Sequence, residues 1–483
     1  MKIRSLLLGS AAAAGLATGG YAADASSVLT ALNACDSLGL SGITISSDDN
    51  CIQLSGGVDF RLRYGDYRAT PAQPIATTYD GIVDLFDNDA AGGQNLDWET
   101  RTRAWLKVVA SSSTDIGRAA AVIGLRQVDE WRTRNVGQSN LVGVPPVPSA
   151  VVGGDHTNGV RIDEAYVSIG DATVLNIGLR RVGIGNGGSV ANSGDDAPYS
   201  YLFMSDKIDG GGILIDNDDR RFGGTSIQVQ TDLGNGFNAA VGLENMANEQ
   251  GAAFADPAGL IPVGNDSTLA QFRSRPDRAG TLIGVLQYQG DGLTAHVTGV
   301  AHGVMDAAVD AFAVHAGVTG TFDMITVRAA AGYDSNFKYL GYSVATALAS
   351  AKATFDMFTI AVSGEVANYA GGTDVGAGAN VAFAVSDGVS INVDGAWFHR
   401  DAHGAPFGNA ASDHYRLAAG VSAAVTETIT LTGSVGGYFG ATQGMFGKAG
   451  VAWAPGGGTT AGASIEVHDN GGYRGEVTAG KTF

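Results

Sequence analysis

The sequence predicts an all-β protein, a transmembrane antiparallel up-and-down β-barrel of 16–20 strands. Three observations support this prediction: an N-terminal export signal, repeated segments in which apolar and polar residues alternate, and short turns that alternate with long loops. The 483 residues are enough for one large closed barrel. Beyond the export signal no apolar run has the length of a membrane helix, so a membrane crossing would have to be made by strands.

The first 22 residues are typical of a secretory signal peptide. Lys2 and Arg4 form a basic head, "SLLLGSAAAAGLATGG" forms a short apolar stretch, and the small residues ending at Ala22 suit a signal peptidase. We therefore expect three parts in the chain: a cleaved signal peptide (1–22), an N-terminal periplasmic segment (23–50) and the barrel domain (51–483).

The segment "CIQLSGGVDFRLRYGDY" (51–67) alternates with a period of two. One parity holds Ile52, Leu54, Val58, Phe60, Leu62 and Tyr64. This period indicates a β-strand with one apolar and one polar face. The pattern returns at 97–113, 117–134, 160–170 and 173–182. Counting all such segments gives about 20 strands, and 16 or 18 stay open because faint segments are easily split or merged.

The connections between these segments alternate in length. Tight turns such as "STDIG", "GDAT" and "DLGNG" alternate with long polar loops at 65–97, 135–159, 184–220 and 249–278. In outer-membrane barrels the short turns face the periplasm and the long loops face the outside. The pattern therefore predicts that the apolar face of each strand meets lipid.

The charge balance and the histidines exclude several classes of function. The net charge is −19, with 48 acidic against 29 basic residues, which argues against a nucleic-acid partner. The eight histidines are scattered, and none has a serine or cysteine at a spacing that suits catalysis. A barrel enzyme such as a lipid hydrolase would need that pair, so we expect no enzymatic activity, no metal site and no cofactor.

Cys35 and Cys51 are the two cysteines of the chain. In an exported protein, two thiols this close in sequence predict a disulfide, which would tie the N-terminal segment to the base of the first strand. Two unpaired thiols remain the alternative, because the sequence does not show whether their Cβ atoms approach each other.

The chain ends in "YRGEVTAGKTF", an amphipathic segment whose last residue is Phe483. A last strand of this kind is what the bacterial barrel-assembly machinery reads, so Phe483 is the predicted assembly signal. We expect the outer membrane of a Gram-negative cell as the location. Its lipid and lipopolysaccharide are then the expected surroundings of the barrel.

Several stretches resemble the alphaproteobacterial general porins. They are the leader "MKIRSLLLGSAAAAGLATGGYAADA", the opening "CDSLG…GITISSDDNCIQLSGGVDFRLRY", the pair "IDEAYVSIGDATVLNIGLRRVG" and the terminal Phe. The resemblance implies a homotrimeric pore for passive diffusion of small hydrophilic solutes and ions, with 16 strands and a third external loop folded inward. The count of about 20 strands departs from that number. A substrate-specific outer-membrane channel is the alternative function, and it would suit a wider barrel.

Strand parity turns a group of arginines towards the lumen: Arg61, Arg63, Arg101, Arg103, Arg126 and Arg180. The candidate third loop contributes acids: Asp195, Asp196, Asp206 and Asp209. Acids facing bases across a narrow aqueous gap would set up a transverse field that tunes ion preference, so both groups are candidate constriction residues. In the alternative reading, the arginines pair with neighbours such as Asp59, Glu99 and Glu164, and the loop acids are merely solvated.

Overall fold

The computed structural model describes residues 43–46, 50–67, 97–134, 151–153, 156–181, 188–191, 222–247, 279–307, 309, 311–336, 342–369, 371–403, 410–441, 443–469 and 471–483. Within these ranges the chain forms strands that follow one another along the sequence. They are β1 (Ile43–Ser46), β2 (Asn50–Asp66), β3 (Asp97–Thr114), β4 (Gly117–Arg134), β5 (Val151–Gly153), β6 (His156–Gly170), β7 (Thr173–Arg181), β8 (Gly223–Gly234), β9 (Phe237–Glu244), β10 (Thr281–Gly290), β11 (Leu293–His302), β12 (Ala311–Phe322), β13 (Ile325–Asp334), β14 (Val344–Thr354), β15 (Phe358–Tyr369), β16 (Gly372–Ser386), β17 (Val389–Arg400), β18 (Ser412–Ala424), β19 (Ile429–Gly440), β20 (Gly444–Gly456), β21 (Thr459–His468) and β22 (Tyr473–Thr482).

These strands form one closed antiparallel barrel. Each long strand pairs with the next long strand in sequence, and β22 pairs with β2 from Gly57↔Thr482 to Asp66↔Tyr473, which closes the ring. The short β1 and β5 lie outside this ring as additions to β2 and β4. Without them the ring has 20 strands, so the predicted count of about 20 is confirmed and the 16 implied by the resemblance is wrong. A higher strand number means a wider barrel.

The two ends of the barrel differ in their connections. The turns after β3, β6, β8, β10, β12, β14, β16, β18 and β20 contain two to four residues each and lie at one end, together with the start of β2 and the chain terminus. At the turn after β8, Asn235 and Gly236 both have positive φ angles, 53° and 82°. A Cβ on Gly236 would lie 2.1 Å from the Gln289 carbonyl oxygen, so the predicted "DLGNG" turn needs glycine there. The longest connections join strands at the opposite end, as predicted.

The predicted alternation of faces is confirmed around the barrel. Val58, Phe60 and Tyr64 of β2 are 51%, 37% and 49% exposed on the outer surface, whereas Arg61 and Arg63 point to the other side and form ion pairs there. Exposed Phe322, Phe358 and Phe383 lie near the short-turn end, and exposed Tyr333, Trp397, Tyr415 and Phe439 lie near the long-loop end. Two aromatic girdles around an apolar outer band are what a membrane-spanning barrel presents to lipid.

No helix in the described part of the chain is long and apolar enough to cross a membrane.

The C-terminal residue completes the seam of the barrel. The backbone N–H of Phe483 donates to the Gly56 carbonyl at 2.9 Å, and its carbonyl accepts from the Gly56 N–H at 3.0 Å. A Cβ on Gly56 would lie 2.6 Å from Cζ of Phe483, so glycine leaves the space that the phenyl ring occupies. Recognition of Phe483 by the assembly machinery stays a prediction.

Cys51 is completely buried at the base of β2, and no free thiol occurs among the described residues. Cys35 lies outside the described residues, so its pairing with Cys51 stays a prediction.

Candidate functional site

The six arginines predicted to face the lumen all do so, and the register of the strands brings five of them together. In the pairing of β2 with β3, Arg61 lies opposite Arg101 and Asp59 lies opposite Arg103. In the pairing of β3 with β4, Trp105 lies opposite Arg126. Because directly opposite residues share a face, these side chains form one continuous inner surface. Arg180 lies farther along the wall, on β7.

On β2 and β3 the arginines share acids from the same wall. The carboxylate of Asp59 accepts from Arg103 Nε at 2.6 Å and has Arg101 at 3.6 Å. Glu99 forms ion pairs with both Arg61 and Arg63, and Arg63 also pairs with Glu476 across the barrel seam. Asp59 and Glu99 are therefore each shared by two guanidinium groups.

A third shared acid lies between β4 and β6. Asp163 Oδ2 lies 2.8 Å from Arg126 Nε, and Asp163 Oδ1 lies 2.8 Å from Arg161 Nε. The strand register shifts between Gly124 and Leu125, which marks a β-bulge at Asp163. Sequence reasoning missed this pair because strict alternation cannot place both Asp163 and Glu164 on the inner face. The adjacent acids in "VRIDEAYVSIG" were the available signal.

Arg180 lies opposite Glu164 but does not take it as its ion-pair partner. Glu164 instead pairs with Lys107 on β3, with Oε2 and Nζ 2.8 Å apart. The Arg180 guanidinium donates to the side-chain oxygen of Gln228 and lies 4.9 Å from the centre of the Tyr166 ring. The expected pairing of arginines with neighbouring acids therefore holds for Asp59 and Glu99, and Glu164 takes a lysine instead.

The inner wall of β2–β7 carries more cations than acids among the side chains that the structure describes. The cations are Arg61, Arg63, Arg101, Arg103, Lys107, Arg118, Arg126, Arg161 and Arg180. The acids are Asp59, Glu99, Glu130, Asp163 and Glu164. With nine cations against five acids, this wall has a positive surplus although the whole chain carries −19.

The inner wall of β8–β12 is covered rather than open to the lumen. Ile283, Val300 and Ala313 point inward from β10, β11 and β12, yet they are 0%, 5% and 3% exposed. Val190, near the start of the candidate third loop (184–220), and Phe222, just after its end, pack against them. The described ends of the third loop therefore lie inside the barrel, as an inward-folded loop requires.

The predicted loop acids Asp195, Asp196, Asp206 and Asp209 lie outside the described residues. Their position opposite the arginines stays a prediction. Within the described residues no group of three or more His, Cys, Asp or Glu side chains could hold a metal ion.

Comparison with known proteins gives matches to porins. Residues 32–436 match the sequence model of a porin subfamily. Porin Omp2b of Brucella suis is 25% identical over 309 residues, which are 60% of this chain and 64% of that protein, so the match spans less than two thirds of the relative's length.

Two solved structures are similar with lower sequence identity. An anion-selective porin from Comamonas acidovorans has 12% identity and a TM-score of 0.36, with 90% of this chain and 100% of that chain covered. The trimer form of OmpT from Vibrio cholerae has 10% identity and a TM-score of 0.36, with the same coverage of 90% and 100%. Likeness at this level carries no argument about function.

Proposed function

The chain belongs to this porin subfamily, and on that premise we propose that it forms a water-filled channel for passive diffusion of small hydrophilic solutes and ions across the outer membrane of a Gram-negative cell. The observation that carries the proposal is the barrel itself, which is closed, apolar outside and lined inside by charged side chains. Ionisable groups inside a membrane barrel are stable where they meet water and one another, as they do along a channel.

The positive surplus on the β2–β7 wall supports a path that favours anions. Asp59 and Asp163 each leave about one guanidinium charge uncompensated, because each carboxylate is shared by two arginines. We place Asp195, Asp196, Asp206 and Asp209 opposite this wall, so that solutes would cross a transverse field at the narrowest point.

Permeation measurements on the purified protein test the proposed function. In liposomes, a diffusion channel should admit neutral sugars at rates that fall smoothly with size and rise linearly with concentration. In planar bilayers its conductance should rise with salt. Saturable uptake of one solute in preference to its stereoisomers would instead support the substrate-specific channel. A folded protein that passes no solute would contradict both functions.

We propose that the assembly is a homotrimer, as in porin homologues. The outer face of β3 and β4 carries polar side chains between the apolar Leu125 and Trp131: Thr100, Thr102, Gln127 and Asp129. A carboxylate on the lipid face of a barrel is destabilising, so a neighbouring subunit is the more favourable cover for this surface. The outer face of β14, with alanine at 345, 347, 349, 351 and 353, is a second surface that could pack against another barrel, because its side chains are small.

Photo-crosslinking distinguishes these two faces. A benzophenone side chain at Gln127 should give covalent dimers and trimers on illumination in outer-membrane vesicles, whereas the same group at Ala349 should react with lipid. The reverse result would move the interface to β14. A monomer by native mass spectrometry in mild detergent would contradict the trimer.

Export and the disulfide have simple mass tests. Cleavage after Ala22 would leave Ala23 as the mature N-terminus, which an intact mass detects. Unreduced peptide mapping should join Cys35 to Cys51, and two alkylatable thiols in the native protein would contradict that bond.

A further inference from the structure

The side chain of Glu244, the last residue of β9, is completely buried inside the barrel. Its Oε1 accepts from the backbone N–H of Val190 at 2.8 Å, and its Oε2 accepts from the backbone N–H of Gly223 at 2.6 Å. Val190 lies near the start of the third loop (184–220), and Gly223 lies just after its end. One carboxylate thus binds both ends of a segment more than thirty residues long.

Gln228 on β8 extends this contact. Its Nε2 donates to Glu244 Oε1 at 2.8 Å and to the carbonyl of Gly188 at 2.7 Å. Its side-chain oxygen accepts from Arg180, so the two donors and the acceptor of the amide are all used. Gln228 is fully buried. Through Arg180 it connects the start of the third loop to the charged inner wall of β2–β7.

Apolar packing supports the same anchor. Val190 and Phe222 lie on Ile283, Val285, Val300 and Ala313, all of which point inward from β10, β11 and β12. Apolar side chains on the inner wall of an aqueous channel are stable only where something covers them. These four positions therefore form a docking surface for the two ends of the loop.

A glycine on β9 makes room for the contact. A Cβ on Gly242 would lie 2.9 Å from Val190 Cγ2 and 3.0 Å from Glu244 Oε1. Any side chain at 242 would push Val190 off the wall or displace the carboxylate. The close approach of Val190, near the start of the third loop, to β9 thus depends on Gly242.

We propose that Glu244 is the positioning residue that fixes both ends of the third loop against the β8–β12 wall and thereby sets the cross-section of the channel. The effect on conductance rests on the proposed diffusion function, whereas the anchoring itself does not. A carboxylate suits this role because its two oxygens accept from separate backbone N–H groups at the same time. Glutamine retains only one acceptor oxygen, and alanine retains none.

Single-channel recording tests the effect on the pore. The wild type should show one conductance level per subunit. Glu244→Ala should replace it by several levels, with increased open-channel noise, because the two ends of the third loop are no longer held in one place. Glu244→Gln should lie between them. The matched control is Glu130→Gln, which removes one inner-face carboxylate on β4 and should keep one level while the reversal potential shifts towards anions.

Thiol labelling tests the anchor directly and does not depend on permeation. Val190 is 7% exposed, so a Val190→Cys variant should react slowly with a polar maleimide. Adding Glu244→Ala should speed this labelling at least tenfold (~1.4 kcal/mol of lost protection), while adding Glu130→Gln should not. The protein without the introduced thiol gives the background from native cysteines, and heat-modifiable mobility verifies that each barrel is folded.

Slow labelling of the Val190→Cys, Glu244→Ala protein together with a single conductance level would overturn the proposal. If the wild type passes no ions but labelling still accelerates in the alanine variant, the anchor stands and the diffusion function fails.

Discussion

The inner wall formed by β2–β7 and the inner wall formed by β8–β12 use the same strand geometry for opposite purposes. On the first, inward positions carry charged side chains that pair along the wall, as Asp59 does with Arg103. On the second, inward positions carry side chains such as Ile283 and Val300, which the ends of the third loop cover. The direction in which a side chain points therefore does not fix its chemistry. What lies next to the wall, water or chain, decides which residues are stable there.

The largest expected effect comes from removing volume on the covered wall. Ile283→Ala should lower the free energy of unfolding by about 2–5 kcal/mol, because the cavity lies under Val190 and Phe222 and cannot fill with water or lipid. The neighbouring Leu282→Ala is the control, since Leu282 is 45% exposed on the outer surface. Urea unfolding in lipid vesicles measures both. Equal losses would mean that the inner wall is not packed against the loop ends.

The next effect concerns a shared acid on the charged wall. Asp163→Asn removes the carboxylate that Arg126 and Arg161 both contact, so two guanidinium groups lose their compensation at once. Reversal potentials in a salt gradient should shift towards anions, and further than in Glu130→Gln. A shift towards cations would show that these arginines do not face the permeation path.

Neutralising the proposed constriction residues one group at a time should change ion selectivity less than Asp163→Asn does. Arg180→Ala should shift permeation towards cations, and an Asp195→Ala, Asp196→Ala double variant should shift it towards anions. The shifts are small because water screens charges beyond about 8 Å at physiological salt. If neither variant changes selectivity or conductance, the constriction lies elsewhere.

The smallest change needs no mutation. Raising the salt from 0.15 M to 1 M shortens the Debye length from about 8 Å to about 3 Å. At a constant gradient ratio, ion selectivity should weaken, since it depends on the water-exposed wall. The single conductance level should persist, since the hydrogen bonds of Glu244 are buried. The appearance of new levels at high salt would place the loop anchor on exposed charges instead.

Much of the barrel was predictable because a period of two requires only local sequence. The segments predicted at 97–113, 117–134 and 173–182 correspond to Asp97–Thr114, Gly117–Arg134 and Thr173–Arg181. The inward direction of all six arginines followed from the same alternation. Their partners followed only in part. Asp59 and Glu99 were expected, whereas Asp163 was not, because the bulge there shifts the register by one residue and strict alternation leaves that residue out.

The sequence did not predict the covered inner wall of β8–β12, for a different reason. In "TLIGVLQYQG" the inward Ile283 and Val285 alternate with the outward Leu282 and Leu286, so both faces are apolar and periodicity cannot separate lipid from protein. The cover comes from Val190 and Phe222, far away in sequence. Glu244 and Gln228 looked like ordinary polar positions because their role exists only once the ends of the loop return to them.

The seam between β2 and β22 explains how such a wide ring can form. It pairs Gly57 with Thr482, whereas nearly every other seam joins neighbours in the chain. The entropic cost of closing a loop grows only with the logarithm of its length, so lengthening a ring by a quarter, as in going from sixteen strands to twenty, adds about 0.2 kcal/mol. Duplication of a hairpin therefore adds very little to the entropic cost of closing the ring. The diameter of such a pore can change over evolution while the pairing of β2 with β22 stays the same.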